Sequence, residues 1–118
     1  MSKPVGFLKE TLKCIEPYLK IKNIVEIMIN KPFEVITEDN KGKFKTLGDK
    51  NLDVKTLHRL CHGIANYTQQ DLSTDYPVLS TYIPQWGYRF QAVVGGNVES
   101  KISISIRLGN VRTFSLES

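Results

Sequence analysis

The stretch Gly87–Leu108, GYRFQAVVGGNVESKISISIRL, decides the fold, because it contains two predicted strands joined by a loop. Apolar residues occupy every second position of both strands: Tyr88, Phe90, Ala92 and Val94 in the first, and Ile102, Ile104, Ile106 and Leu108 in the second. Each strand also carries one arginine, Arg89 or Arg107, at an alternate position. Side chains alternate between the two faces of a strand. If both apolar sets cover one core, both arginines therefore project from the opposite face.

The register of this hairpin brings the two arginines together. If Val94 lies opposite Ile102 across the loop, counting back along the ladder places Arg89 directly opposite Arg107. A slip of two residues would make them diagonal neighbours on the same face. Like charges in opposite positions are unfavourable, by up to about 1 kcal/mol. The pair is tolerated if both arginines are solvated, if carboxylates bridge them, or if an anion such as phosphate binds between them.

Two helices are predicted outside this hairpin. Apolar residues recur at helical spacing from Val5 to Leu19, and Pro17 is expected to end or kink this first helix near Glu16. Asp53 is a suitable N-cap for the second helix. One apolar stripe follows it, formed by Val54, Leu57, Cys61, Ile64 and Ala65.

Three further strands form a predicted meander between the helices, over residues 23–30, 33–38 and 43–47, and a fourth covers 77–83. The chain then reads as helix, three strands, helix, three strands. This order predicts an α+β domain, in which a mostly antiparallel sheet of about six strands carries two main helices.

Composition restricts the possible functions. The 118 residues suffice for a single domain, and no apolar run reaches the roughly 20 residues of a membrane span. Cys14 and Cys61 are far apart and outside any CxxC spacing, so we expect reduced thiols in a cytoplasmic protein. The net charge of +4 is spread over the chain rather than concentrated, so we expect no specific nucleic-acid binding.

Motifs for catalysis or metal binding are absent from the sequence. His58 and His62 have the i, i+4 spacing of a shared metal site, but the glutamate of HExxH is missing and no third ligand lies nearby. We therefore predict no metal site. Nothing matches GxxxxGK[ST], the phosphate-binding loop of P-loop enzymes. We accordingly predict no catalytic residue within this chain.

Several motifs, in order, resemble one known family. They are the segments NIVEIMINKPFEVITE, PVLSTYIPQWGYRFQAVV and SISIRL, which include an acidic residue before an apolar strand, Glu26–Asn30, a Pro-apolar-Leu-Ser start, Pro77–Ser80, and the strands around Arg89 and Arg107. This set is similar to the N-terminal domain of the traffic ATPases of bacterial type IV secretion and conjugation systems. The resemblance covers nearly the whole chain from Leu8 onward.

The resemblance implies a PAS-like fold and a role beside a nucleotide. In this family ATP lies between the N-terminal domain and a RecA-like C-terminal domain, which carries the P-loop and the Mg²⁺-associated residues. Arg89 and Arg107 match arginines that reach toward the phosphates, and Asn40 matches a region near the base or ribose. The family also implies a hexameric ring, other secretion-system components as partners, and a peripheral position at the cytoplasmic face of the inner membrane.

The chain departs from this family because it has no RecA-like domain. We expect residues 1–108 to form the N-terminal domain and residues 109–118 to begin an interdomain linker. The chain would then be an N-terminal domain separated from its catalytic part, or a natural stand-alone relative. Alone, it should hydrolyse nothing and bind ATP weakly. The alternative is a protein-interaction adaptor with no nucleotide role.

Overall fold

The computed structural model describes residues 5–73, 77–84, 86–95 and 101–108. The helical elements are α1 (Val5–Leu12), a 3₁₀ turn (Lys13–Ile15), α2 (Glu16–Leu19) and α3 (Val54–Tyr67). The strands are β1 (Ile24–Ile29), β2 (Glu34–Asp39), β3 (Phe44–Gly48), β4 (Val78–Ile83), β5 (Tyr88–Val94) and β6 (Ile102–Leu108). The predicted linker, residues 109–118, lies outside the described residues.

The six strands form one sheet in the order β3-β2-β1-β6-β5-β4, and every neighbouring pair is antiparallel. Two local meanders, β1-β2-β3 and β4-β5-β6, build the two halves of this sheet. The non-local pairing of β1 with β6 joins the halves. The prediction of an α+β domain with a six-stranded antiparallel sheet and two main helices is confirmed.

The core lies between the helices and one face of the sheet. β5 and β6 bury every second residue toward the helices, as their apolar alternation predicted. α3 contributes Leu57, Leu60, Cys61, Ile64 and Ala65 to the same core. The Asp53 side chain caps α3 as predicted, because its Oδ1 accepts the backbone N–H of Thr56 at 2.8 Å. The opposite face of the sheet carries no helix of the described chain.

The first helical segment is interrupted close to Glu16, as predicted. α1 ends at Leu12, a 3₁₀ turn covers Lys13–Ile15, and α2 begins at Glu16. Pro17 is the physical cause, because its ring excludes an α-helical carbonyl four residues earlier, at Lys13. The Lys13 carbonyl instead accepts the N–H of Glu16 in a 3₁₀ bond. Pro17 itself lies in the first turn of α2, where its missing N–H is not needed.

Both cysteines are free thiols, as predicted. Cys61 is fully buried in α3, whereas Cys14 is partly exposed. Burial raises the pKa of the Cys61 thiol to about 12. Burial also raises the pKa of Cys14. Both side chains are therefore protonated at neutral pH, and Cys61 is a structural residue rather than a reactive thiolate.

Gly63 allows α3 to approach α1 closely. A Cβ atom at this position would lie 2.4 Å from Cγ2, 3.0 Å from Oγ1 and 3.3 Å from Cβ of Thr11. The sequence showed only that glycine weakens a helix, by about 1 kcal/mol relative to alanine. The structure explains why this helix nevertheless contains one: alanine would collide with the neighbouring helix.

Replacing Gly63 with alanine should destabilise the domain by about 1–3 kcal/mol, because overpacking outweighs the gain in helix propensity. Urea unfolding followed by circular dichroism measures this change. The matched experiment is G63A in a Thr11→Ala background, where the two closest atoms are absent. There the glycine-to-alanine change should be close to neutral. Equal destabilisation in both backgrounds would contradict the proposed collision.

Candidate functional site

The open face of the sheet carries one row of mainly charged residues that crosses all six strands. Each residue of this row is the register partner of the next, and we call it the charged row: Tyr82, Arg89, Arg107, Glu26, Glu38 and Phe44. Two arginines on β5 and β6 thus lie beside two glutamates on β1 and β2. Tyr82 and Phe44 close the row at the two edges of the sheet, 50% and 63% exposed.

The arginine pair is in the predicted register. Arg89 is directly opposite Arg107, Gln91 is opposite Ser105, and Val94 is opposite Ile102. Both arginines are exposed on the face away from the helices. Opposite residues in an antiparallel pair have Cα atoms about 4.5–5.5 Å apart. The two guanidinium groups can therefore reach the same ligand.

Glu26 is the acidic partner of one arginine. Its Oε1 accepts a hydrogen bond from Nη2 of Arg107 at 3.1 Å, and its Oε2 accepts one from the Ser105 hydroxyl at 2.8 Å. The Arg107 side chain is 69% exposed, whereas that of Glu26 is only 15% exposed. Glu26 is thus held from two sides, while Arg107 keeps most of its surface open to solvent.

Arg89 differs from Arg107 in its surroundings. Within the described part of the chain, no carboxylate lies within ion-pair distance of Arg89. Glu26 therefore compensates the charge of Arg107 but does not bridge the two arginines, and Arg89 is solvated. Arg89 is thus a cation without an ion-pair partner among the described residues, whereas Arg107 is already paired with the Glu26 carboxylate. An incoming phosphate would bind the first directly and compete with Glu26 for the second.

Sequence reasoning did not identify Glu26 as a partner of Arg107. The two residues are 81 positions apart and meet only through the pairing of β1 with β6. A local signal existed, because Glu26 is an isolated charge within the apolar strand IVEIMI. A charge in such a strand indicates a position on the open face, but it does not indicate which residue it meets.

Asn40 lies at the turn after β2, exposed, and its backbone N–H donates to the carbonyl of Asn23 at 2.8 Å. The structure does not bring Asn40 directly against the arginines, because β1 lies between β2 and β6. With neighbouring strands about 4.8 Å apart, β2 and β6 are separated by about 10 Å. Asn40 is nevertheless at the same end of the sheet as the arginines, where β1 begins and β6 ends.

The remaining candidate groups give no second site of this kind. His58 and His62 stack with ring centroids 6.0 Å apart. In the described ranges, no group of three or more His, Cys, Asp or Glu side chains is arranged to hold a metal ion. Among the same residues, no helix is both long and apolar enough to span a bilayer.

Comparison with known proteins gives close matches among secretion proteins. The chain is 36% identical over 114 residues to the type IV secretion system protein VirB11 of Bartonella henselae, which covers 96% of the chain and 32% of the relative. It is 33% identical over 107 residues to VirB11 of Brucella suis, and 30% identical over 97 residues to the type IV secretion system protein PtlH of Bordetella pertussis. These two matches cover 90% and 81% of the chain, and 29% and 28% of the relatives. No protein-family model matches.

A solved structure shares the fold. The crystal structure of the VirB11 ATPase from the Brucella suis type IV secretion system, in complex with sulphate, superposes with a TM-score of 0.80 at 31% identity. The match covers 89% of the chain and 31% of that structure. The chain thus spans about a third of the length of the relatives it matches. We conclude that it belongs to the VirB11 family of type IV secretion ATPases, to whose N-terminal domain it corresponds.

Proposed function

We propose that this domain supplies Arg89 and Arg107 to the phosphates of ATP in a type IV secretion ATPase. The nucleotide would be held mainly by a RecA-like domain, which would provide the phosphate-binding loop and coordinate Mg²⁺. The two arginines would then stabilise charge on the γ-phosphate during its transfer. Without the loop and the metal ion, most of the nucleotide charge stays unmatched, so this chain alone binds ATP weakly and hydrolyses none.

The observation that carries the proposal is the direct opposition of Arg89 and Arg107, on a face that no helix of the described residues covers. Planar guanidinium groups bind phosphate oxygens through two hydrogen bonds each, which favours phosphate over a singly charged ligand. The backbone also supports this role. Both arginines lie inside regular strands, so their Cα positions are set by the sheet rather than by a loop.

Membership of the secretion ATPase family supports assembly into a ring. The domain would take part in a homohexamer, whose ATP hydrolysis would power the export of protein or DNA or the assembly of a pilus. It would work in the cytoplasm, peripherally at the inner membrane, with other secretion-system components as partners. Asn40 would lie on the base or ribose side of the nucleotide. It is at the same end of the sheet as the arginines, but β1 separates its strand, β2, from β6.

A second candidate function is a protein-interaction adaptor without a nucleotide role. The apolar side chains that the open face leaves exposed favour it: Val78 at 59%, Val93 at 47% and Tyr82 at 50%. Val78 and Val93 are register partners on β4 and β5, so they form one small apolar area. In this alternative the arginines would contact a partner protein, and nucleotides would bind them no more tightly than they bind other surface arginines.

Titration of this chain with ATP, ADP and AMP tests the proposal directly. Side-chain Nε–H signals of arginine in NMR spectra report which guanidinium groups meet the ligand. We expect Arg89 and Arg107 to shift with dissociation constants on the order of millimolar or weaker, in the order ATP, ADP, AMP. Arg59, exposed on α3, is the internal control and should not move.

Two results would contradict the proposal. One is an absence of any shift at Arg89 and Arg107 up to tens of millimolar ATP, on the order of the weakest binding expected here. The other is equal affinity for AMP and ATP, because a phosphate-facing pair must respond to the number of phosphates. Submicromolar binding would contradict a different part of it, the dependence on a separate phosphate-binding loop.

A further inference from the structure

A pocket of about 360 Å³ opens on the helix side of the sheet, beside the turn that joins β2 to β3. Three lysines line it, Lys22, Lys43 and Lys45, together with Thr37 and an apolar wall that includes Ile24 and Leu47. We call it the lysine pocket. Its volume falls within the range of small-molecule sites, roughly 300–1,000 Å³. Phe44, at the end of the charged row, also lines the pocket, whereas the arginines of that row lie on the opposite face of the sheet.

Thr37 occupies a position where the fold would favour an apolar residue. It continues a core-facing row of the sheet, in register with Ile27, Ile106 and Phe90, which are at most 1% exposed. Thr37 itself is 2% exposed, and its hydroxyl has no hydrogen-bond partner among the described residues. A buried hydroxyl without a partner is unfavourable, whereas valine has nearly the same shape and no such group. The unpaired hydroxyl therefore indicates that the pocket, which Thr37 lines, holds a polar ligand.

The three lysines also form no ion pair with any described residue. Lys45 lies directly opposite Thr37, and Lys43 is on the same side of the chain two residues earlier. Lys20 and Lys31 elsewhere pair with glutamates at 3.9 and 3.6 Å, but no carboxylate of the described chain lies within ion-pair distance of Lys22, Lys43 or Lys45. Their ammonium groups line the pocket without forming an ion pair, although Lys43 also interacts electrostatically with the Asp39 carboxylate.

One carboxylate, that of Asp39, also lines the pocket. Its Oδ1 accepts the backbone N–H groups of Lys41 and Lys43 at 2.8 and 2.9 Å, so this oxygen is engaged in the β2–β3 turn. These hydrogen bonds lower the pKa of Asp39, and it is ionised at neutral pH. Three ammonium groups against one turn-bound carboxylate leave the pocket positive, which favours an anion with more than one charge.

We propose that the lysine pocket binds a small phosphomonoester. The ammonium groups and the Thr37 hydroxyl would hold the phosphate oxygens, and the apolar wall of Ile24 and Leu47 would contact the organic part. This chemistry is shared by soluble phosphate esters and by the headgroup of phosphatidic acid. Because Arg89 and Arg107 lie on the opposite face of the sheet and do not line the pocket, this site does not depend on them.

Calorimetric titration of this chain with phenyl phosphate tests the proposal, with inorganic phosphate and phenol as the two partial ligands. We expect phenyl phosphate to bind more tightly than either. Thr37→Val and Lys45→Gln should each weaken its binding about tenfold or more, as expected for a lost hydrogen bond to a charged group. Lys41→Gln is the matched control, because it removes the same charge from the adjoining β2–β3 turn, outside the pocket, and it should change binding less than about twofold.

Thr37→Val has a second readout that a purely structural role would not produce. The variant should raise the urea midpoint of unfolding while it loses ligand, because the unpaired hydroxyl is removed. A fall in the midpoint would show that the hydroxyl stabilises the fold itself, and would overturn the proposal. Equal binding of phenol and phenyl phosphate, or equal losses in Lys45→Gln and Lys41→Gln, would overturn it as well.

Sedimentation with vesicles distinguishes the two sources of the ligand. Vesicles of phosphatidylcholine containing phosphatidic acid should bind the wild type but not Thr37→Val if the lipid headgroup is the ligand. Binding of phenyl phosphate without a Thr37-dependent vesicle interaction would identify a soluble ester. If neither phenyl phosphate nor these vesicles respond to Thr37→Val, the lysine pocket is not a phosphomonoester site.

Discussion

Replacing both Arg89 and Arg107 with alanine is expected to lower ATP turnover by about 100-fold or more in a whole secretion ATPase that carries this domain. The loss should fall on the maximal rate rather than on nucleotide affinity, because the arginines would act on charge that develops during phosphoryl transfer. Phosphate release at saturating ATP measures it. Arg59→Ala, which removes an exposed arginine from α3, is the control and should leave turnover unchanged.

The single variants should behave differently from one another. Arg89→Ala removes a solvated cation beside a like charge, so the fold should be unaffected or slightly more stable, by at most about 1 kcal/mol. Arg107→Ala instead removes the ion-pair partner of Glu26, whose side chain is only 15% exposed. Loss of this ion pair should lower the free energy of unfolding as well as ATP turnover. Arg→Lys at either position keeps the charge but not the bidentate geometry, and should rescue turnover only in part.

The outcome that would contradict the role of the arginines is turnover within about twofold of the wild type in the double variant, well short of the 100-fold loss expected from removing such a contact. Unfolding curves must show that the variant is folded, so that lost stability is not taken for lost catalysis. Unchanged turnover together with reduced secretion in cells would favour the adaptor function instead, because the same surface would then act on a partner protein.

Of the variants considered, Phe90→Ala should lower the free energy of unfolding most, by about 3–5 kcal/mol. Phe90 is fully buried at the centre of β5, between Thr81 of β4 and Ile106 of β6. Truncation to alanine leaves a cavity that the two flanking strands prevent from closing. Since domains of this kind are stable by about 5–15 kcal/mol in total, the variant should be close to unfolding at 37 °C.

Urea unfolding measures this loss, with Gln91→Ala as the matched control. Gln91 is the next residue of the same strand but is exposed on the open face, so its truncation should cost less than about 0.5 kcal/mol. Phe90→Leu should lie between the two, because it fills part of the cavity. Similar losses at positions 90 and 91 would contradict the separation of the sheet into a packed face and an open face.

The amino-acid sequence by itself determined the features that rest on neighbouring residues. The alternation in YRFQAVV and ISISIRL was sufficient to predict both strands, the packed face, and the position of Arg89 and Arg107 on one shared face, whereas their direct opposition also required the register of Val94 with Ile102. Asp53, a suitable N-cap residue, likewise predicted the start of α3. In each case the interaction is local, so the residue types in one short segment specify both its conformation and its pairing.

Only the tertiary structure decided the contacts between distant segments. The pairing of β1 with β6 placed Glu26 beside Arg107. The packing of α1 on α3 explained why position 63 is glycine, because a Cβ atom there would collide with Thr11. The pairing of β2 with β3 and the burial of Thr37 showed that its hydroxyl has no hydrogen-bond partner in the part of the chain that the structure describes. None of these contacts follows from periodicity, because strands of similar apolar pattern can pair in several orders, and only the packing of the whole chain selects one.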